Sequence, residues 1–344
     1  MTSLRIAQVM ASGPVCGGLE KHFVDLCNGL ADKHDVMAIA HPAHGKALSA
    51  NVQFYPTDMK SSRRNPLNLL RLYRKLQKFE PDVIHAHANK AAAMIGALSR
   101  LTSARTVATI HGFKSSNRVF SKHDAVIAVS EAIKEQLSIP QACVIPNGIA
   151  PFAPPPRDPD YFTRTLGFAK HRPVALSVGR LAPVKGFEGL IRAWQSIDAD
   201  LLIAGEGPDR GMLQSLSENL GVCKSVHMLG YRNDISLLMA NSDLVVIPSE
   251  REGFPYVLVE ALHLEKVIVA TQFPGAKSLL PNSYVVPYGN AVALREAIVQ
   301  VMANPAKAAC EFTSTWRLAR SSFTIQRMVE QTSDVYRGLF RAVA

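Results

Sequence analysis

Apolar positions repeat along this chain in two ways. Short runs rich in β-branched residues, at 4–10, 36–40, 52–55, 82–87, 105–110, 124–129 and 142–145, predict strands. Between some of them the apolar spacing changes to three and four. Phe23, Leu26, Cys27 and Leu30 mark one face of a helix over 19–31, and Leu69, Leu72, Tyr73 and Leu76 mark one over 66–79. Ser130 stands as the cap of a helix over 130–137. The alternation then breaks and restarts, with strands at 174–178, 201–204, 226–229, 244–247 and 266–270. Helices are expected up to Trp194, from Pro208, behind a capping Asp234, and over 256–262, 291–302 and 323–340. Apolar strands separated by helices predict an α/β chain with parallel sheets. The break at 150–159 holds five prolines and predicts a stiff linker. The expected division is a domain over 1–149, a linker over 150–160, a second domain over 161–322 and a terminal segment over 323–344.

The 344 residues and 47% apolar content are enough for two cores. The cysteines Cys16, Cys27, Cys143, Cys223 and Cys310 are odd in number, scattered and without a C-x-x-C pair. Neither a disulfide frame nor a zinc motif is indicated, which fits a reducing cytosol. The N-terminal apolar run is too short for a signal peptide, and no window has the length of a membrane span. Net charge is +10, and it is uneven. Residues 1–150 carry 18 Lys and Arg against 10 Asp and Glu, hence +8; residues 151–344 carry 20 against 18, hence +2. A basic first half predicts an anionic partner: a membrane face, a phosphorylated acceptor or nucleic acid. Nucleic acid ranks last, because no recognition motif for it appears. The stretch Lys60-Ser61-Ser62-Arg63-Arg64 and the residues Arg71, Arg74, Lys75 and Lys78 of the 66–79 helix could meet anionic headgroups; a solvated face is the plainer reading.

The chemistry gathers where strands end. After strand 244–247, residues 248–261 read Pro-Ser-Glu-Arg-Glu-Gly-Phe-Pro-Tyr-Val-Leu-Val-Glu-Ala. Glu252 falls in the loop, Gly253 gives a flexible backbone, Pro255 can open a helix, and Glu260 lies inside that helix. A helix N-terminus between two carboxylates is a seat for phosphate flanked by hydroxyls, as in a nucleotide sugar. Arg180 and Lys185 flank the loop after strand 174–178, and two cations there suit a diphosphate. Gly17 and Gly18 follow the first strand without a G-x-G-x-x-G dinucleotide pattern. His111-Gly112 stands at the end of strand 105–110, a ligand-bearing position in α/β proteins and equally that of a structural histidine. His85 and His87 are spaced for metal, but no third ligand stands near them in the chain.

Together these pieces resemble a GT-B glycosyltransferase of the large retaining family 4, over nearly the whole chain. The carriers are Gly17-Gly18, His111-Gly112, Val144-Ile145-Pro146-Asn147-Gly148, Gly179-Arg180 with Lys185-Gly186, Gly205-Glu206-Gly207-Pro208, and Glu252-Gly253-Phe254 with Glu260. The resemblance implies two Rossmann-like domains facing across a cleft, with the acceptor on the first, the nucleotide sugar on the second, and the last helix returning to the first. It implies that Arg180 and Lys185 clamp the diphosphate, Glu260 holds the ribose, and Glu252 lies beside the donor sugar with the amides of Gly253 and Phe254. Gly17, Gly18, Gly205 and Tyr231 complete the implied donor set. His111 resembles the family's active-site histidine, so Glu252, His111, Arg180 and Lys185 form the implied catalytic group. No Asp-x-Asp triplet appears, which fits metal-independent chemistry with no cofactor. One departure is Pro274-Gly275-Ala276-Lys277-Ser278, where Ser278 replaces the family's usual carboxylate.

The expected function is retaining transfer from a nucleotide-diphosphate sugar, UDP by its frequency in the family, to an acceptor hydroxyl. The charge of the first half points to a lipopolysaccharide core or other lipid-linked acceptor, and to a cytoplasmic enzyme at the inner face of the membrane. The rivals are a soluble enzyme making a small glycoside and a non-catalytic sugar-nucleotide-binding protein.

Overall fold

The computed structural model describes residues 3–14, 17–59, 61–113, 116–137, 139, 142–151, 153–168 and 172–341. They divide into two compact units, Met1–Ala150 with Phe323–Ala344, and Pro151–Ser322.

The first unit runs β1 (Arg5–Met10), α1 (Gly18–Leu30), β2 (Asp35–Ala40), β3 (Val52–Pro56), α2 (Pro66–Phe79), β4 (Val83–His87), α3 (Ala88–Leu98), β5 (Arg105–Ile110), β6 (Ala125–Ala128), α4 (Glu131–Leu137) and β7 (Cys143–Val144). Its strands form one parallel sheet in the order β3-β2-β1-β4-β5-β6-β7. The order reverses between β1 and β4, where Met10 pairs with His87. In a parallel sheet the loops diverge at such a point and leave a crevice at the strands' carboxyl ends. The strands are buried on both faces because helices cover both, which is why they read as continuous apolar runs.

The second unit runs α5 (Tyr161–Leu166), β8 (Val174–Val178), α6 (Phe187–Ala193), β9 (Asp200–Ala204), α7 (Arg210–Asn219), β10 (Val226–Gly230), α8 (Ile235–Asn241), β11 (Leu244–Ile247), α9 (Tyr256–His263), β12 (Ile268–Thr271), α10 (Pro274–Leu279), β13 (Val285–Val286), α11 (Ala291–Ala303) and α12 (Pro305–Ser322). Its parallel sheet has the order β10-β9-β8-β11-β12-β13, with the reversal between β8 and β11. The proline-rich segment is tied to this unit: the Asp158 amide donates to Asn241 Oδ1 at 2.7 Å, and Arg157 pairs with Asp243. Phe152 of that segment lies outside the described residues, as do Val15 and Cys16 of the first glycine loop and Lys60 before α2.

The chain ends in α13 (Ile325–Arg341), which belongs to the first unit. Met328, Val329 and Tyr336 join the core made by Phe23, Leu26 and Leu30 of α1 and by β1, β2 and β4. Gly29 lets the two helices close up, since a Cβ there would lie 2.6 Å from Val329. Backbone bonds fix the entry of α13: Ile149 N–H donates to Phe323 O at 3.1 Å and Ile325 N–H to Ile149 O at 2.9 Å. The helix expected over 323–340 therefore starts at Ile325, because Thr324 bridges to Ile149 instead of continuing the helix.

Other helices gave no amphipathic signal. α3 is apolar nearly all round and packs Ala91, Ala92, Met94 and Ile95 inside. α5, α10 and α12 were not expected either; α12 is pinned by Trp316, whose Nε1 donates to Lys266 O at 3.0 Å. Asp234 occupies the N-cap position of α8, yet its carboxylate does not cap. Arg232 takes it through two bonds of 2.8 and 2.5 Å. Among the described residues, no helix is long and apolar enough to cross a membrane.

Candidate functional site

At the β8–β11 crevice of the second unit three loops are laced together by backbone contacts. Leu181 N–H donates to Glu206 O at 2.9 Å and Glu250 N–H to Val184 O at 2.9 Å. The loop after β8 thus lies between those after β9 and β11. Two glycines make this possible. Gly205 has φ +152° and a Cβ on it would sit 1.9 Å from Gly179 O; Gly186 has φ +69° and its Cβ would sit 2.0 Å from Pro248 O. Neither position tolerates a side chain without moving backbone.

This lacing brings Lys185 onto Glu252. Lys185 Nζ lies 2.5 Å from Glu252 Oε1, and the buried Ser249 hydroxyl donates to the same oxygen at 2.7 Å. Thr271 Oγ1 donates in turn to Ser249 O. Glu252 is therefore held in a fixed rotamer by two donors from different loops, which is what a positioned carboxylate needs. A lysine ammonium has three donors, so Lys185 can keep Glu252 and still offer two to phosphate oxygens. Arg180 is exposed and has no ion-pair partner among the described residues. Gly253 and Phe254 are buried at the entry to α9, and Glu260 is half-buried on that helix. Tyr231 is 71% exposed and stands apart from this tight group. Ser278, exposed on α10, donates to its own helix at Gly275 O, 3.3 Å away. An adjoining hollow of about 440 Å³, lined by Tyr288 and others, holds the Glu188–Arg192 ion pair; it shares Gly186, Pro248 and Thr271 with the crevice but none of Arg180, Lys185, Glu252 or Glu260.

At the β1–β4 crevice of the first unit the structure gathers a group that the spacing of His85 and His87 does not reveal. His87 ends β4, His111 follows β5, and His22 rises from α1; a ligand nitrogen from each lies within 4.8 Å of the others. His85 lies on the same side of β4 with its ring 4.3 Å from that of His87, but both its nitrogens are engaged: Nδ1 meets Tyr336 OH at 2.6 Å and Nε2 meets Thr109 Oγ1 at 2.7 Å. His22 Nδ1 lies 2.9 Å from Asn147 Oδ1, and His87 Nε2 lies 2.7 Å from Gln8 Oε1. An amide oxygen only accepts, so both ring nitrogens carry the proton. The opposite nitrogens, His22 Nε2 and His87 Nδ1, are left as buried acceptors without a hydrogen bond. An orphaned acceptor of this kind costs about 1–3 kcal/mol. Burial pushes His22 down to about 4 and His87 well below the usual histidine range, so both are neutral near pH 7.

Gly17 and Gly18 are exposed at the start of α1, and the Gly17 amide is already taken by Glu20 Oε2 at 3.0 Å. A phosphate at Gly17 would compete with that carboxylate. Sequence patterns did not point to His22, Gln8, Ser249 or Tyr336. His22 carried one signal: it sits beside Phe23 and four residues before Leu26, on the face of α1 that is buried.

Residues 161–314 match the glycosyl transferases group 1 family and residues 16–151 match glycosyltransferase family 4. A UDP-Gal:alpha-D-GlcNAc-diphosphoundecaprenol alpha-1,3-galactosyltransferase of Escherichia coli is 28% identical over 262 residues, covering 66% of this chain and 65% of that protein. The chain thus spans just under two thirds of that relative. The lipopolysaccharide core biosynthesis glycosyltransferase LpsE of Rhizobium meliloti is 25% identical, covering 84% of this chain and 86% of its own length. In fold, the crystal structure of Anabaena HepE in complex with UDP-glucose superposes with a TM-score of 0.86 at 21% identity, over 97% of this chain and 99% of that one. Two parallel α/β units, two matched domains that together take in most of the chain, and neighbours of the same architecture place this protein among the GT-B glycosyltransferases, with a family 4 domain followed by a group 1 domain.

Proposed function

We propose that this glycosyltransferase moves a sugar from a UDP-sugar to a hydroxyl of a lipid-linked envelope glycan, of the lipopolysaccharide-core or diphospholipid class, with retention and without a metal. The observation that carries the reading is the Ser249–Glu252–Lys185 chain at the β8–β11 crevice, with the exposed Arg180 in the same loop as Lys185. Negative charge builds on the diphosphate as the glycosidic bond breaks. Lys185, fixed before the reaction, together with Arg180 stabilises that charge more in the transition state than in the ground state. Glu252 holds the donor sugar, Glu260 the ribose, and amides at the entry to α9 meet the phosphates. Gly205 and Tyr231 border the nucleotide, and His111 acts on the sugar. Attack comes from the face the diphosphate leaves, and a departing phosphate oxygen takes the acceptor proton.

The donor follows the relatives, one of which names UDP-Gal, and a neighbour bound to UDP-glucose. The acceptor follows the galactosyltransferase and LpsE, together with the +8 charge of residues 1–150. The test is a calorimetric screen of purified protein against UDP, GDP and ADP. It is followed by turnover of UDP-sugars with lipid-linked or core acceptors and determination of the product anomer. Expected are preferential UDP binding, acceptor-dependent UDP release in EDTA, and an unchanged anomeric configuration. Binding without turnover on any acceptor would make the protein a sugar-nucleotide-binding module instead, and turnover only on free sugars would remove the lipid-linked acceptor.

A further inference from the structure

The two orphaned imidazole nitrogens and the half-buried His111 beside them are arranged as ligands rather than as packing. We propose that His22 Nε2, His87 Nδ1 and a ring nitrogen of His111 bind one divalent transition-metal ion of the zinc class, separate from the donor chemistry of the second unit. Three observations carry this. One nitrogen from each of the three rings lies within 4.8 Å of the other two, a spacing that can hold one ion. Asn147 and Gln8 accept the far N–H of His22 and His87, as the outer partners of metal-bound histidines do, and so aim lone pairs at the shared space. Gln8 is itself held, since its Nε2 donates to Tyr336 OH at 2.9 Å.

The donor set decides the ion. Three imidazoles without a carboxylate suit zinc, cobalt or nickel and offer nothing to magnesium or calcium, which require oxygen ligands. Three protein ligands leave a fourth position for water or another donor, and His111 is the most exposed of the three. An ion here occupies the histidine assigned to catalysis, so its effect on transfer is inhibitory. The binding claim does not rest on that assignment.

Cobalt(II) titrated into the metal-free full-length protein should give the intense visible absorption of a four-coordinate nitrogen site at one equivalent. Zinc should abolish it and raise the melting temperature, and magnesium and calcium should do neither. His111→Ala and Asn147→Ala should weaken zinc binding about 10- to 100-fold. The control variants His41→Gln and Cys223→Ser with Cys310→Ser should bind as wild type does. His22→Gln adds a third ligand test; if it fails to fold, His111→Ala and the cobalt spectrum decide alone. Absence of cobalt absorption, zinc affinity unchanged in His111→Ala, or binding lost in the cysteine variant would each overturn the site. Because binding is read without turnover, its failure leaves the transferase reading intact.

Discussion

At the residue scale, the two roles proposed for Glu252 and Glu260 predict different kinetic losses. Glu260 sits on a regular helix, where a ribose would be held alike in ground and transition states. Its change to Gln should mainly raise the donor KM, since uniform binding leaves the barrier unchanged. Glu252 is held by Ser249 and Lys185 in the loop proposed to face the reacting sugar. Glu252→Gln should lower kcat about 10²-fold, or about 2.7 kcal/mol of barrier. Steady-state kinetics with varied donor separates the two, and wild-type kcat in Glu252→Gln would remove it from the reaction. A second prediction concerns His22. Its pKa falls from an ordinary 6.5 to about 4 on folding because the ring is buried. Between those values the unfolded chain binds a proton that the native protein refuses, so stability falls as the pH drops from 6.5 toward 4. The loss should approach about 3 kcal/mol for this ring. Urea unfolding at pH 7.5 and 5, in wild type and His22→Gln, should show a shallower pH slope in the variant; equal slopes would mean that the ring titrates freely.

At the element scale α2 is divided more sharply than its charge pattern suggests. Leu72, Leu76 and Phe79 are buried, and Lys75 turns inward, its Nζ 2.9 Å from Thr57 Oγ1 and over the Tyr55 ring. Lys75 therefore leaves the basic face, where Arg71, Arg74 and Lys78 remain exposed. Leu67 and Leu70 are 63% and 44% exposed next to them, a small apolar wedge among cations. That combination suits shallow insertion into an anionic surface, with each cation adding about 1 kcal/mol. Sedimentation with anionic vesicles should show binding at low salt that fades at high salt. It should weaken in an Arg63, Arg64, Arg71, Arg74 neutralised variant and in Leu67→Ser with Leu70→Ser. No binding at low salt, or binding indifferent to both sets, would leave α2 a solvated face.

For the whole molecule, the covalent order and the structural units do not coincide. Helix α13 completes the core of the first unit, so that unit is not finished until residues 325–341 are made. Tyr336 is the keystone of that docking, with its ring buried and its hydroxyl between Gln8 and His85. Tyr336→Ala should cost the first unit about 3–5 kcal/mol. A calorimetric scan should then show one unfolding transition lowered and the other unmoved. A uniform shift of both, or none, would mean that α13 is not integral to the first unit.

The parallel α/β architecture, the position of most strands and the phosphate-seat loops could be read from the chain. Each rests on local signals: apolar runs, helical spacing, and glycine or proline where backbone must turn. Helices apolar on all sides, such as α3, had no period to read, and the ends of α13 depended on pairing with a residue far away in sequence. The candidate site followed the same rule. Glu252, Lys185 and Glu260 stood out because their motifs are contiguous, whereas the bond between Lys185 and Glu252 needed three loops folded together. The two histidines spaced like ligands, His85 and His87, share one side of β4, but both nitrogens of His85 are engaged by Tyr336 and Thr109, and His87 finds its neighbours on α1 and after β5. Strand spacing puts two imidazoles on one face, but sheet pairing and helix packing supply their partners from far away in the chain, so only the tertiary structure could decide which imidazoles share a site.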